Sequence, residues 1–211
     1  MMLVVGLTGS IGMGKSTAAA RFRERGFGVF DADAEVHRLY AGPLIGAIEA
    51  EFPGTTTAAG VDRGALARAL LDDPSGFARL DAIVHPRVRD AERAFLKCAY
   101  DRGARLAVLE VPLLFEGGLD RDLDATVVVS AAPQVQRQRV LARAGMSEDK
   151  FNALLARQLP DAEKRARADF VVDTSGPAIA CHAAVDAIIA ELLSRPARAY
   201  QRFWTVSNQG S

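Results

Sequence analysis

The 211-residue sequence has few cysteines and no long apolar segment. Its two cysteines, Cys98 and Cys181, are far apart and lie in no metal-ligand spacing, which argues against a disulfide framework and against a zinc site. No apolar run approaches the roughly 20 residues that a membrane-spanning helix needs. The N-terminus shows no basic region followed by a cleavage site. These absences predict a cytoplasmic protein without membrane association.

The sequence also has no excess of charge of either sign, because 26 acidic residues balance 26 basic ones. This balance predicts no general attraction to nucleic acid. Lysine is scarce: only Lys15, Lys97, Lys150 and Lys164 are lysines, and every other basic residue is an arginine. Arginine suits bidentate contacts to phosphate, although a GC-rich genome produces the same bias. The length fits one sizeable core with a small additional lobe, and we expect a monomer or a weak homo-oligomer.

The most informative stretch is Gly9–Ser16, with the sequence GSIGMGKS. Before it, Leu3–Thr8 is apolar and is predicted to be a buried strand; after it, Thr17–Arg25 is predicted to be a helix that ends at Gly26. A strand, a glycine-rich turn with the pattern GxxxxGKS and a helix together form the phosphate-binding loop pattern. A chance glycine-rich turn is the alternative, and the flanking strand and helix argue against it.

Each residue type in this loop has a chemical reason. Gly9, Gly12 and Gly14 allow successive backbone N–H groups to point at an anion. The following helix adds the positive end of its dipole. Lys15 is expected to reach the β- and γ-phosphates, and the Ser16 hydroxyl is expected to ligate Mg²⁺. The loop therefore predicts binding of ATP with Mg²⁺.

Strands and helices alternate along the chain, which predicts an α/β fold with a parallel sheet. The five predicted strands are Leu3–Thr8, Phe27–Phe30, Ala104–Val111, Ala125–Ser130 and Asp169–Asp173. Helices are predicted at Ala34–Tyr40, Leu44–Phe52, Arg63–Leu71, Gly76–Val84, from Pro86 to Gly103, Pro133–Ala144, Ser147–Leu159, Asp161–Ala168 and Ile179–Leu193, and 53–60 is predicted to be a loop.

The predicted elements suggest four parts. Residues 1–33, 104–132 and 169–193 form a nucleotide-binding core, 34–103 a helical insertion, 133–168 a lid and 194–211 a weakly ordered tail. The helical insertion is read as a substrate-binding lobe, and extra helical packing is the alternative.

Two carboxylates follow the second strand. Ligands bind beyond the carboxyl ends of the strands in such sheets, so Asp31 and Asp33 are expected near the phosphate loop. One of them could accept a proton from an attacking hydroxyl, as a kinase requires. Alternatively, Asp33 merely caps the helix predicted from Ala34. Late in the third strand, Glu110 either supports the metal through water or pairs with an arginine.

Several arginines follow the fourth strand. Arg139 and Arg143 are four residues apart on one predicted helix face, with Arg137 nearby. Arginines that close over the site would stabilise the charge of phosphoryl transfer, and a solvated basic face is the alternative. His85, just before Pro86, is either a helix cap or a functional residue.

Taken together, these motifs resemble the dephospho-CoA kinase family over essentially residues 3–193. The segments that carry the resemblance are LTGSIGMGKS (7–16), DAD (31–33), HP (85–86), VPLLFE (111–116) and DTSG (173–176). The phosphate loop alone is shared with many unrelated enzymes, whereas the other four segments are specific in combination.

The resemblance implies an adenylate-kinase-like P-loop fold: three α/β/α layers with a five-stranded parallel sheet, a helical substrate domain and a lid. It implies that ATP phosphorylates the ribose 3′-hydroxyl of dephospho-CoA, giving coenzyme A and ADP in the last step of coenzyme A synthesis. The remaining alternatives are another small-molecule or nucleotide kinase of this fold and, from a different class, a nucleotide-dependent switch protein. The two helical insertions fit an acceptor lobe and a lid better than partner-facing loops.

The resemblance also implies roles for individual residues. Asp33 would be the base, with Lys15 and Arg139 assisting transfer, and Ser16 and Glu110 would serve the metal. The ATP-binding set would be Gly9, Gly12, Met13, Gly14, Lys15, Ser16, Thr17, Arg143, Thr174 and Gly176. The acceptor-binding set would be Thr8, Asp33, His85, Leu113, Leu114, Phe115 and Glu116. The family usually has asparagine where this chain has Thr174, and threonine cannot present the paired donor and acceptor of an amide to a base.

Overall fold

A computed structural model describes residues 1–205 of the chain. The chain forms two compact units. The sheet unit comprises Met1–Phe30 and the chain from Phe95 onward, and the helical unit comprises Asp31–Ala94. None of the helices described for residues 1–205 has the length and apolar composition that a membrane crossing requires.

In chain order, the elements are β1 (Leu3–Thr8), α1 (Lys15–Glu24), β2 (Gly28–Asp31), α2 (Ala32–Tyr40), α3 (Ile45–Glu51), β3 (Thr56–Thr57), β4 (Gly60–Val61), α4 (Arg63–Asp72), α5 (Gly76–Asp101), β5 (Leu106–Glu110), β6 (Ala125–Ser130), α6 (Pro133–Leu141), α7 (Glu148–Leu155), α8 (Asp161–Arg167), β7 (Phe170–Asp173) and α9 (Ala178–Leu192). A 3₁₀ turn at Leu119–Asp122 and a π-helical turn at Tyr200–Trp204 complete the described elements.

The sheet has five strands in the order β2-β5-β1-β6-β7. The central strand β1 pairs in parallel with β5, where Val5 is opposite Val108, and with β6, where Leu7 is opposite Val127. All residues of β1, β5 and β6 are buried, as expected of a parallel sheet covered on both faces. The predicted five-stranded parallel α/β fold is confirmed.

Alternate residues of β1 serve the two faces of the sheet, as the pleat of a strand requires. On one face, Leu3, Val5 and Leu7 pack in a cluster with residues of α1 and α9, including Phe22, Val185 and Leu192. On the other face, Met2 and Val4 pack in a cluster with Leu96, Leu109, Tyr200 and Trp204. The sheet is therefore the middle layer of three.

The prediction of a weakly ordered tail is wrong for the described residues after Ser194. Tyr200 and Trp204 are buried in the second cluster, and the Trp204 indole Nε1 donates to the Asp122 carbonyl at 2.8 Å. The Asp124 carboxylate accepts hydrogen bonds from the backbone N–H groups of Arg198 and Ala199 at 2.7 and 2.9 Å. Burial of two aromatic rings outweighs the polar local composition. The rest of the predicted tail, 206–211, lies outside the described residues.

The helical unit has its own apolar core. The buried residues are Leu39, Leu44, Ile48, Phe52, Leu66, Leu70 and Val84. Within the segment predicted as a loop, β3 and β4 form a short antiparallel hairpin with Thr56 opposite Val61.

The sequence predicted one helix at Gly76–Val84 and a second from Pro86 to Gly103. The structure has the single helix α5 instead, and Pro86 lies inside it rather than at its first turn. The apolar spacing continues across the proline, because Leu80, Ile83, Val84 and Val88 all pack in the core of the helical unit. Burial of this continuous face outweighs the backbone hydrogen bond that proline cannot make.

Candidate active site

The phosphate loop connects the carboxyl end of β1 to the start of α1. Gly12 and Gly14 have φ angles of 77° and 82°, a conformation that side chains rarely adopt. At Gly12 a Cβ atom would also lie 2.5 Å from Val140 Cγ2. Both backbone angle and space therefore require glycine at this position.

The N-terminus of α1 is left available for an anion. Its N-cap residue, Gly14, makes no side-chain capping bond, and the first turn contains no acidic residue. The first backbone N–H groups and the positive end of the helix dipole therefore have no competing carboxylate of their own helix. Ser16 is exposed in this first turn, and the Lys15 Nζ donates to the Gly9 carbonyl at 2.9 Å.

Thr174, just after β7, supports the loop. Its hydroxyl donates to the Met13 carbonyl at 2.8 Å, and its backbone N–H donates to the Ser130 carbonyl at 2.8 Å. The residue is buried, and its hydroxyl is engaged by the loop. The expected place of Thr174 beside the adenine of ATP stays a prediction. Gly176, two residues later, is exposed.

The three arginines after β6 have different environments. Arg139 donates from Nη2 to the Thr174 carbonyl at 2.7 Å, which holds its guanidinium beside Thr174, the residue that supports the loop. Arg137 is paired with Glu148. Since α6 ends at Leu141, Arg143 lies beyond the helix and is exposed; the prediction that Arg139 and Arg143 share one face of a helix is wrong.

Two glutamines hold the loop from the predicted lid. The Gln136 side chain on α6 donates to the Ile11 carbonyl at 2.8 Å, and the Ile11 N–H donates to the Gln158 side chain at 3.2 Å. Sequence reasoning did not assign these residues to the site. Gln136 is buried on α6, whereas Gln158 is partly buried and follows the end of α7, so no shared local pattern marks the two.

A buried lysine lies at the carboxyl end of the sheet. Lys164 has a side-chain exposure of 0% and its Nζ is 2.9 Å from Glu116 Oε1. The same carboxylate accepts the Leu159 N–H at 2.8 Å. Burial by itself raises the pKa of Glu116, but the hydrogen bonds from Leu159 and Lys164 outweigh it, so the pKa is lowered. Sequence reasoning missed Lys164, which looks like one more charge on a polar helix.

This pair belongs to a larger network around the segment after β5. The Thr8 hydroxyl donates to the Pro112 carbonyl at 3.1 Å, and the Lys164 Nζ reaches the same carbonyl at 3.5 Å. Two predicted acceptor-binding residues, Thr8 and Glu116, are thus engaged by the scaffold.

Burial separates the remaining acceptor-side residues after β5. Leu114 and Phe115 are buried with Val128, whereas the Leu113 residue is 45% exposed. Only Leu113 of these three presents much of its surface, and the acceptor-binding role of this segment stays a prediction.

Glu110, at the end of β5, is buried and forms an ion pair with Arg23 at 3.9 Å. Of the two alternatives raised by the sequence, the arginine pairing is present, and a metal-linked role through water stays a prediction. In residues 1–205, no group of three or more His, Cys, Asp or Glu side chains could hold a metal ion. Which residues bind Mg²⁺ stays a prediction, with Ser16 as the expected hydroxyl ligand.

In the helical unit, the structure corrects two capping interpretations. Asp31, not Asp33, is the N-cap of α2, because its Oδ1 accepts the Ala34 N–H at 3.0 Å. Asp33 lies exposed in the first turn of that helix. His85 is no helix cap either: it lies in the middle of α5, with its ring 3.5 Å from Asp81.

The model of the dephospho-CoA kinase family matches residues 3–179. The chain belongs to the dephospho-CoA kinase family. The resemblance read from the sequence motifs is thereby confirmed.

Relatives of this family cover nearly the whole chain. A dephospho-CoA kinase of Nitrobacter winogradskyi is 52% identical over 197 residues, which cover 93% of this kinase and 99% of the relative. The crystal structure of TT1252 from Thermus thermophilus has a TM-score of 0.79 and 37% identity, covering 90% of this kinase and 98% of that chain. The dephospho-CoA kinase from Campylobacter jejuni has a TM-score of 0.68 at 22% identity, covering 92% and 98%, and supports the fold alone.

Proposed function

We propose that the kinase transfers the γ-phosphoryl group of ATP to the ribose 3′-hydroxyl of dephospho-CoA, giving coenzyme A and ADP. Dephospho-CoA kinase activity, which completes coenzyme A biosynthesis, is the activity of the family to which the chain belongs. For the binding of ATP, the phosphoryl donor, the main observation is the N-terminus of α1. It has no side-chain cap, and Gly12 and Gly14 before it have left-handed φ angles.

In this proposal, the backbone N–H groups of Gly12 to Thr17 hold the phosphates of ATP, and Lys15 contacts the β- and γ-phosphates. The Lys15 ammonium already lies against the loop, on the Gly9 carbonyl, so a small movement brings it to an anion in the loop. Holding the donor in one geometry supplies the positioning on which phosphoryl transfer depends.

Ser16 is the residue that fits Mg²⁺, because its hydroxyl is an oxygen ligand exposed in the first turn beside the loop. When bound there with the phosphates, Mg²⁺ would neutralise part of the charge of the triphosphate. Glu110 would act on the metal only through water, since its carboxylate is buried and paired with Arg23.

Asp33 is proposed as the base that accepts the proton of the 3′-hydroxyl. Its carboxylate is exposed, and within residues 1–205 no hydrogen bond or ion pair engages it. Because Asp31 already caps α2, Asp33 is available for proton transfer.

Arg139 is proposed to stabilise the transferring phosphoryl group. Its guanidinium is bound to a neutral carbonyl, that of Thr174, and not to a carboxylate that would neutralise it. A guanidinium in this state can exchange the carbonyl for an anionic oxygen. Arg143 is proposed as a second, exposed contact to ATP.

The segment 133–168 is proposed to act as a lid, and residues 113–116 are proposed to contact the acceptor. The Lys164–Glu116 ion pair would then hold the acceptor segment in place with Leu113 presented outward. All residues assigned to the reaction come from one chain, which is compatible with a monomer or a weak homo-oligomer.

An acceptor panel tests the function. Release of ADP from MgATP is measured with dephospho-CoA, AMP, adenosine and shikimate. Strong stimulation by dephospho-CoA alone supports the proposal. Stimulation by another acceptor would indicate a different kinase, and no stimulation by any acceptor would favour a nucleotide-dependent switch.

A further inference from the structure

The helical unit contains an arginine that contacts a histidine instead of a carboxylate. Arg63 Nη1, in the first turn of α4, lies 2.9 Å from His37 Nε2 on α2. Both residues are exposed. Among the described residues, no carboxylate forms an ion pair with Arg63.

Four other arginines of this unit are paired with carboxylates. Arg38 is paired with Glu35, Arg79 with Glu51 and Asp73, Arg89 with Glu92, and Arg93 with Asp90. The guanidinium has further N–H donors besides the one that faces the imidazole, and a histidine ring nitrogen can also donate, so an anion beside the pair can accept from both residues. The pair is therefore suited to hold an anion.

The position of His37 along α2 indicates which anion the pair would hold. Asp33 and His37 are four residues apart in one helix, so they share a face and are separated by about 6 Å along the axis. In a nucleotide, the ribose 3′-hydroxyl and the 5′-phosphate leave the same sugar and span a comparable distance. With the 3′-hydroxyl at Asp33, the 5′-phosphate groups fall one helical turn further along, at His37.

Tyr40 extends the same surface. It lies within electrostatic reach of both Arg63 and Asp81, and its pKa is raised by burial and by Asp81 although Arg63 lowers it. Its hydroxyl therefore stays a hydrogen-bond donor over the working pH range and can add a neutral contact to an anion beside Arg63.

We propose that His37 and Arg63 form the subsite for the 5′-diphosphate of the acceptor nucleotide. This subsite rests on the proposed function, because Asp33 sets the position of the 3′-hydroxyl. The helical unit then selects an acceptor that carries phosphate at the 5′ position.

Steady-state kinetics of Arg63→Gln and His37→Asn test the subsite. Both positions are exposed, so neither substitution is expected to unfold the protein. Each variant is expected to raise the KM for dephospho-CoA by about tenfold, the loss expected for one charge-assisted hydrogen bond. The kcat and the KM for ATP are expected to stay within about twofold of the wild-type values, because neither residue is assigned to ATP binding or to proton transfer. Arg63→Lys, which keeps the charge, is expected to recover part of the affinity.

The matched control is Arg38→Gln. This arginine follows His37 in α2, but its guanidinium is already paired with Glu35 at 2.6 Å. No change in KM for dephospho-CoA is expected. An increase equal to that of Arg63→Gln would mean that any loss of charge on this helix has the same effect, which would overturn the subsite.

A second measurement uses inorganic pyrophosphate as the probe, with MgATP saturating and Mg²⁺ in excess. Pyrophosphate is expected to compete with dephospho-CoA in the wild type and to compete less well in Arg63→Gln. Absence of competition in the wild type, or an unchanged KM in both variants, overturns the subsite while the proposed function stands. A wild type that dephospho-CoA does not stimulate overturns the proposed function itself.

Discussion

The Thr174 hydroxyl donates to the Met13 carbonyl at 2.8 Å. The residue that follows the edge strand β7 therefore supports the phosphate loop, which follows the central strand β1. The same residue also offers its carbonyl to Arg139. A single residue thus connects the shape of the loop with the position of an arginine proposed to act on the phosphoryl group.

Replacement of Thr174 by valine should weaken ATP binding. The Met13 carbonyl then loses its buried donor, and the loss is expected to destabilise the fold by about 1–2 kcal/mol and to raise the KM for ATP several-fold. Asparagine, the usual family residue, keeps a donor and should perturb ATP binding less than valine. The control is Thr57→Val in the exposed hairpin, and an unchanged KM for ATP in Thr174→Val would contradict the supporting role.

Asp33→Asn should lower turnover by about 10²–10⁴-fold, because asparagine cannot accept the proton of the 3′-hydroxyl. Binding of ATP, measured by calorimetry, should be unchanged. Asp31→Asn is the matched control, because Asp31 caps the same helix and is not assigned to proton transfer. Near-normal turnover of Asp33→Asn would remove this residue as the base.

Loss of the Lys164 charge should destabilise the protein. Lys164→Met leaves the partly exposed Glu116 carboxylate without its cation, with an expected cost of about 1–2 kcal/mol in the free energy of unfolding. The double variant Lys164→Met with Glu116→Gln should recover part of this loss, as measured by chemical denaturation. Equal destabilisation by the single and double variants would argue against a coupled pair.

This pair also predicts a pH dependence. The pKa of Glu116 is lowered in the folded state, so its ionised form contributes stability above the ordinary glutamate pKa of about 4.3. As pH falls through and below that range, the carboxylate becomes protonated and the contribution is lost. The difference in unfolding free energy between the wild type and Glu116→Gln should therefore shrink between pH 6 and about pH 3. A difference that stays constant with pH would contradict the assignment.

Trp204→Ala should lower stability by about 3–5 kcal/mol, because it removes a buried ring and the hydrogen bond to the Asp122 carbonyl. Arg202→Ala is the control, because Arg202 is exposed in the same π-helical turn, and little change in stability is expected for it. Thermal unfolding of both variants measures the difference. Similar melting temperatures would show that this segment adds nothing to the core.

Closure of the lid should be visible by limited proteolysis. Cleavage within 133–168 is expected to slow when ATP and dephospho-CoA are bound together, because closure orders the segment. Gln158→Ala, which removes the acceptor for the Ile11 N–H, should make the segment more sensitive without ligands. Cleavage that is unaffected by both ligands would mean that 133–168 is not a lid.

Local patterns in the sequence were sufficient for the phosphate loop, the five strands and the family. In these stretches the deciding interactions lie within a few residues of one another: glycines that allow left-handed angles, a helix that follows them, and runs of Val, Leu and Ile that have to be buried. The same reasoning failed at Pro86 and after Ser194. There a continuous apolar face and two buried aromatic rings outweighed the local signals of proline and of polar residues.

Only the tertiary structure decided which side chains support the site. The contacts of Thr174 with Met13, Gln158 with Ile11 and Lys164 with Glu116 join residues that are far apart in the sequence. They form because the strand order places the carboxyl ends of β5, β1, β6 and β7 side by side. No local pattern marks such residues, since what distinguishes them is burial beside a partner that the chain supplies elsewhere. The sequence by itself therefore determined the chemistry of the loop, and the packing of the sheet determined which residues support it.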